Sequence, residues 1–233
     1  MDELGQVLKE IKEATNGENS MLKPLEKDLD SPIGLDRDPM MECVETPNEN
    51  VSNDLLPEEE LNRPISDNIE PEDKGLSEEV KAEIIENTDW SEATIDSIKS
   101  DKEAAVYLEA NLKEVNGNLE RTDIDWDAKI PEDKIDRMRS LYGDEVADKW
   151  ANKTNLDLIK DGKAPYGRDG ERINLHHIGQ KTDSPLAELT DSEHKQYDAV
   201  LHDKTKTSEI ERPVFKSERC QYWKARYESL KNN

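Results

Sequence analysis

The hydrophobic pattern along this chain changes character twice. From residue 1 to about 75 the apolar positions hold no period, apart from an amphipathic run around Leu4 to Ile11 that predicts a short helix. From 76 to about 158 they recur at helical spacing. "LSEEVKAEIIENT" places Val80, Ile84 and Ile85 on one face, and "DWSEATIDSIKS" repeats the pattern with Trp90, Ile95 and Ile98. Ser91 stands where an N-cap belongs. "SDKEAAVYLEANL" opens with a capping box, Ser100 to Glu103, and turns Val106, Leu108 and Leu112 inward. "IDRMRSLYGDEVADKWANKTNLDLIKDGKAP" predicts one or two more helices, ending before Pro165. Trp90 and Trp150 read as core of this region.

From 159 the period shortens. "PYGRDGERINLHH" is a Gly-rich turn leading into a strand over Glu171 to Leu175, and "SPLAEL" predicts a second strand. "TDSEH" is a capping box, Thr190 to Glu193, so a helix starts there. "ERPVFKSERCQYWKARYESL" predicts a final amphipathic helix with Phe215, Tyr222, Trp223 and Tyr227 available for packing. The expected fold class is α+β, in three parts. Residues 1–75 form a leader, 76–158 a small helical region, and 159–233 a module of strand, loop, strand, helix, helix. The helical region is either independent or packed on that module.

Composition sharpens the division. Residues 1–75 hold seven of the eleven prolines, no aromatic residue, and 7 basic against 21 acidic side chains. Such a segment has too little apolar surface to offset chain entropy, so a mostly disordered acidic leader is expected. The whole chain is 33% hydrophobic and 38% charged, which argues against one core for all 233 residues. Its net charge of −24 is uneven: from residue 159 there are 14 Lys+Arg against 13 Asp+Glu. The leader would repel nucleic acid and the module would not. No stretch approaches the ~18 apolar residues of a membrane span, so no membrane partner is expected. The amino terminus lacks the features of a signal peptide, which predicts cytoplasmic synthesis and, for any export, a specialised route. Cys43 and Cys220 give neither a CxxC pair nor a disulfide framework.

The chain has four histidines, His176, His177, His194 and His202, all within one window of 27 residues. On a strand, adjacent His176 and His177 point to opposite faces. Three imidazoles from separate elements suit a borderline metal with a position left open, and the fourth can serve as a general base near neutral pH. The competing reading is four solvated or core histidines, and composition leaves both open. Arg168 and Arg172 flank the turn before the histidine pair, and Lys181 follows it. All three are candidates for holding phosphates or, equally, solvated surface charge. Arg212, Arg219 and Arg226 recur seven apart, either as a nucleic-acid-facing stripe or as a solvated face.

"INLHHIGQKTDSPLAELTDSEH…VLHD", with "ERPVFKSERCQYWKAR" behind it, resembles the LHH nucleases of the HNH/endonuclease VII superfamily, found among bacterial polymorphic toxins. The resemblance covers roughly residues 154 to 230. It implies a ββα-metal (HNH, His-Me finger) core in which His176, His194 and His202 hold one divalent ion. His177 would be the general base that takes a proton from the attacking water. The ion would be Zn²⁺, Mg²⁺, Mn²⁺ or Ni²⁺. The implied activity is phosphodiester hydrolysis by a metal-dependent endonuclease, on double-stranded DNA, as the toxic domain of a bacterial effector with a cognate immunity protein. The alternatives are an RNase of the same fold and a non-catalytic zinc-stabilised binding module. Where relatives carry a base-orienting Asn, this chain offers Asp183 and Ser184 or a backbone carbonyl. One geometric demand follows. A straight helix from 194 to 202 would rise about 12 Å, too far for both imidazoles to share an ion, so a break is expected near Lys195 to Asp198.

Overall fold

The computed structural model describes residues 5–7, 9, 75–203, 205, 210 and 212–232. The expected acidic leader therefore lies almost wholly outside the described residues. Of its predicted helix, Gly5, Gln6, Val7 and Lys9 are described and are helical.

Three short capped helices open the folded part. In α1 (Glu78–Asn87) the Ser77 side chain accepts the Val80 N–H, and in α2 (Glu92–Ser97) Ser91 accepts the Thr94 N–H. In α3 (Asp101–Glu109) Ser100 accepts the Glu103 N–H as the capping box predicts. The return bond differs: Glu103 Oε2 accepts the N–H of Lys99, one residue earlier than the cap. The chain then forms β1 (Lys113–Val115) and β2 (Asn118–Glu120), which pair antiparallel. Asn116 and Gly117 turn them with φ of 51° and 77°, the left-handed pair that an Asn-Gly hairpin requires. The helical reading of 76–158 missed this hairpin. Three helices follow instead of one or two: α4 (Glu132–Tyr142), α5 (Asp144–Ala151) and α6 (Asn155–Lys160).

The remainder is β3 (Ile173–His177), β4 (Leu186–Thr190), α7 (Asp191–Gln196), α8 (Asp198–Leu201) and α9 (Arg212–Lys231). β3 pairs antiparallel with β4, from Ile173↔Thr190 to His177↔Leu186. β4 also meets β2 in parallel at Leu119↔Ala187, so the four-stranded sheet runs β1-β2-β4-β3. The β3–β4 hairpin leading into α7 is the ββα unit of the expected α+β fold. Thr190 and Glu193 cap α7 reciprocally, as the sequence predicts.

Side-chain alternation along β4 gives the sheet two different faces. Ala187 and Leu189 join Val80, Ile84, Ile95, Tyr107, Tyr197 and Leu201 in one core. Leu186 joins Ile173, Leu175, Ile159 and Trp223 on the other side, beneath α9. Each fully buried side chain of this size contributes about 1.5–3 kcal/mol relative to exposure. Residues 80–112 and 178–201 thus share the first core. Trp150 packs in a third cluster among α4–α6, and Trp90 lies in the first.

One polar network lies beneath α9. Glu188 is fully buried and accepts from the Arg121 N–H (2.7 Å) and the Tyr222 hydroxyl (2.8 Å). Arg226 pairs with Glu120 and approaches Glu188 at 3.3 Å. Its Nη2 also donates to the Arg121 carbonyl at 2.9 Å. This corrects the reading of Arg226 as part of a nucleic-acid-facing stripe: it is turned inward onto the sheet. Arg219 instead lies over the Phe215 ring. Cys220 is disulfide-bonded, although the sequence shows no disulfide framework, and Cys43 lies outside the described residues.

Candidate metal centre and its neighbouring histidine

His176 and His177 close β3, and the alternation of the strand sends them to opposite faces of the sheet. His176 faces the core shared with α3. His177 faces α9. Both are 4% exposed.

The His176 side is a histidine cluster. The ring centroids of His176 and His194 are 5.6 Å apart, those of His176 and His202 are 5.1 Å apart, and those of His194 and His202 are 4.8 Å apart. One nitrogen from each lies within 4.8 Å of the others. Two imidazoles eight residues apart meet because the helix breaks between them. α7 ends at Gln196, Tyr197 leaves helical geometry with φ −101° and ψ 17°, and α8 is a single turn. His202 then stands just past it in extended backbone, φ −122° and ψ 119°. The break falls inside the segment where the ion-sharing argument requires one. Tyr197 anchors it: its ring is buried in the first core, and its hydroxyl donates to Glu109 Oε2 of α3 at 2.9 Å.

The donor set fits a borderline divalent ion. Three neutral imidazoles are the ligands such an ion accepts with a position left open. Burial lowers the His176 pKa, opposed by Glu103. Among the described residues, His176 Nε2 is buried without a hydrogen-bond partner. His202 Nδ1 lies 2.9 Å from Asp198 Oδ1, and His176 Nε2 lies 3.7 Å from Glu103 Oε1. Carboxylates standing behind imidazoles are the usual outer support of a metal site.

Glu103 has no exposed surface, and sequence reasoning gave it only a capping role. Its Oε1 accepts from the Tyr107 hydroxyl (2.6 Å) and the Gly179 N–H (2.8 Å), and its Oε2 from the Lys99 N–H (2.8 Å). Burial raises its pKa, but the facing His176 imidazole and the hydrogen bonds from Tyr107 and Gly179 outweigh that and hold the group below its usual range. No sequence signal connected a residue so far upstream with the histidines.

His177 is separate from the cluster. Its Nε2 lies 3.0 Å from Glu218 Oε2, and its ring is 4.5 Å from that of Phe215; both partners are on α9. The sequence reading looked for an orienting group at Asp183 or Ser184. Asp183 is exposed, and the Ser184 hydroxyl donates to the Lys181 carbonyl at 2.7 Å. The group standing behind His177 is Glu218, which could have been sought one helical turn after Phe215 but not paired with His177 by spacing alone.

The basic candidates are dispersed. Arg168 is exposed and donates to the Asp123 carbonyl at 2.8 Å. Arg172 lies over Tyr166 and donates to its hydroxyl at 3.3 Å, while its Nη2 is buried without a partner. Lys181 is exposed. No helix among the described residues is long and apolar enough to cross a membrane.

Residues 154–229 match the family model LHH, described as a nuclease of the HNH/ENDO VII superfamily with conserved LHH. The matched segment contains Leu175, His176 and His177, all three cluster histidines, and Glu218. It excludes α1 to α3. No solved structure matches the chain at a significant level.

Proposed function

We propose that the LHH-type nuclease segment, residues 154–229, makes this protein a metal-dependent endonuclease that cleaves double-stranded DNA. The observation that supports this most is the pairing of a three-imidazole cluster with one further histidine, backed by a carboxylate, at the end of the same strand. His176, His194 and His202 hold the ion. When bound, a divalent ion supplies charge stabilisation at the scissile phosphate and its departing oxygen.

The chain's own residues do the rest. Glu218 orients the His177 ring and supports the imidazolium that forms when His177 takes a proton from the attacking water. The Phe215 ring packs against His177 and limits its rotation. Exposed Arg168 and Lys181 are the phosphate-contact candidates that remain, whereas Arg172 is engaged with Tyr166. Each neutralised phosphate contributes to affinity through counterion release, so binding weakens as salt rises.

A closed structural zinc site needs four ligands and no free base, whereas here the three cluster histidines leave His177 paired elsewhere. This favours catalysis over a zinc-stabilised binding module. The family resemblance to bacterial polymorphic toxins supports a role as the toxic domain of an effector, with a dedicated immunity protein to protect the producing cell. The test is to offer supercoiled plasmid DNA and a structured RNA side by side with Mg²⁺, Mn²⁺, Ni²⁺ or Zn²⁺. Cleavage of the plasmid, lost with EDTA, is expected. Cleavage of RNA alone would overturn the DNA assignment.

A further inference from the structure

The histidine cluster leans on a helix that the family segment does not contain. Three contacts tie α3 and Lys99, the residue before its N-cap, to the site. Glu103 faces His176 Nε2 at 3.7 Å from a fully buried position. Lys99 Nζ donates to the Leu201 carbonyl (2.9 Å) and to Gln180 Oε1 (3.2 Å), which also accepts the Asp203 N–H at 2.7 Å. Glu109 takes the Tyr197 hydroxyl at the helix break. The two lashes fix the backbone on either side of His202, and Glu103 addresses a ligand side chain directly.

We propose that Glu103 is the positioning residue of the metal centre: it fixes the His176 ring for the ion, so the site is completed by a helix outside residues 154–229. The physical case rests on what Glu103 gives up. A carboxylate without exposed surface forfeits its hydration, and it is tolerated because it accepts hydrogen bonds from three fixed donors. Two of these donors are backbone N–H groups, one of them Gly179, two residues after the histidine pair. The carboxylate is therefore pinned to both sides of the α3–β3 contact, and the oxygen that takes the Tyr107 hydroxyl also faces His176. A group held this rigidly can hold an imidazole in one orientation, which a flexible surface carboxylate cannot. A purely structural role for Glu103, as a cap for α3, leaves its approach to His176 unexplained, because the cap bonds use other atoms.

The proposal rests on the metal-nuclease reading above, and the test separates the two. Divalent metal binding to the full chain is measured by calorimetry with Zn²⁺ and Mn²⁺ for the wild type, Glu103→Gln and Glu103→Asp. Metal-free melting is recorded for each. Glu103→Gln keeps the shape, and Glu103→Asp keeps the charge while withdrawing it from His176. Both are expected to bind metal about 10–100-fold more weakly, the loss typical of outer-sphere partners. The ring ¹⁵N shifts of His176 should move while those of His177 stay, which a capping defect would not produce. Metal affinity within twofold of wild type in either folded variant, or an unmoved His176 signal, overturns the proposal. Should both variants fail to fold, the metal-free wild type decides. A His176 ring proton shifted to low field by a carboxylate supports the proposal, and one without that shift overturns it. A wild type that binds no metal removes the metal-nuclease reading itself.

Discussion

Nε2 of His177 and Oε2 of Glu218 lie 3.0 Å apart across the contact between β3 and α9. The pair joins the last residue of the Leu-His-His triplet to a helix some forty residues on, and it lies on the opposite face of the strand from the three-histidine cluster. In the proposed function, metal binding and proton removal fall to adjacent residues with separate supports. Their failures should separate as well. His177→Ala is expected to lower the cleavage rate by about 10²–10⁴-fold, the usual worth of a general base, with metal affinity unchanged. Glu218→Gln should lower it by a smaller factor, roughly 10-fold or more. Calorimetry and single-turnover cleavage on the same samples would check both.

The cluster predicts the complementary pattern. His194→Ala and His202→Ala should each abolish tight metal binding, since each removes one of the three proposed ligands. Metal content after gel filtration, read by mass spectrometry, checks this. Retained metal in His202→Ala would mean that the residue past the break is not a ligand.

Much of this centre was legible in the sequence, and the missing parts have physical causes. The ββα order follows from the strand-turn-strand pattern and the Thr190–Glu193 box, both local signals. The break at Tyr197 was demanded by the distance between His194 and His202. What holds the break, the Tyr197 hydroxyl on Glu109, spans 88 residues and leaves no local trace. The β1–β2 hairpin was hidden because three-residue strands are too short to show a period among helices, although Asn116-Gly117 marks the turn. Glu103 reads as an ordinary capping-box acid, since helical spacing cannot show that its other oxygen faces His176. Arg226 shows the converse: a regular seven-residue spacing suggested an outward stripe, yet the buried acids Glu120 and Glu188 draw it inward.

Gly179 is placed where no side chain fits. Its φ is +66°, and a Cβ there would overlap the Ser97 carbonyl oxygen while its N–H holds Glu103. Gly179→Ala should destabilise the protein by more than the ~1–2 kcal/mol that left-handed backbone alone costs. It should weaken metal binding at the same time. Urea denaturation and calorimetry would show both losses; an unchanged midpoint would contradict the close approach of α2 to this turn.

The first core predicts one cooperative transition. Ile84 of α1 and Leu189 of β4 are both fully buried in it. Ile84→Ala should cost about 2–5 kcal/mol, the range for a large core truncation, and lower the stability of the sheet with that of the helix. Hydrogen exchange at β4 amides would report it. Exchange there as slow as in the wild type would show that α1 unfolds alone.

Glu120 makes stability depend on pH. Burial pushes its carboxyl up to about 7, with Arg226 opposing and the neighbouring Glu188 reinforcing the shift. A folded pKa raised above the unfolded value means the native state binds the extra proton. That contribution is complete below about 4.5 and is lost as pH rises through about 7. Glu120→Gln, which resembles the protonated form, should reduce the fall in melting temperature between pH 5 and 8 in EDTA. Parallel wild-type and variant curves would contradict the assignment.

The most direct test of the central claim is cleavage of supercoiled plasmid by the purified full chain, titrated with Mn²⁺, beside His177→Ala and His194→Ala. The account predicts metal-dependent cleavage by the wild type. It also predicts a His177→Ala protein that binds metal without cutting, and a His194→Ala protein that does neither. A His177→Ala protein that cuts at the wild-type rate would contradict it.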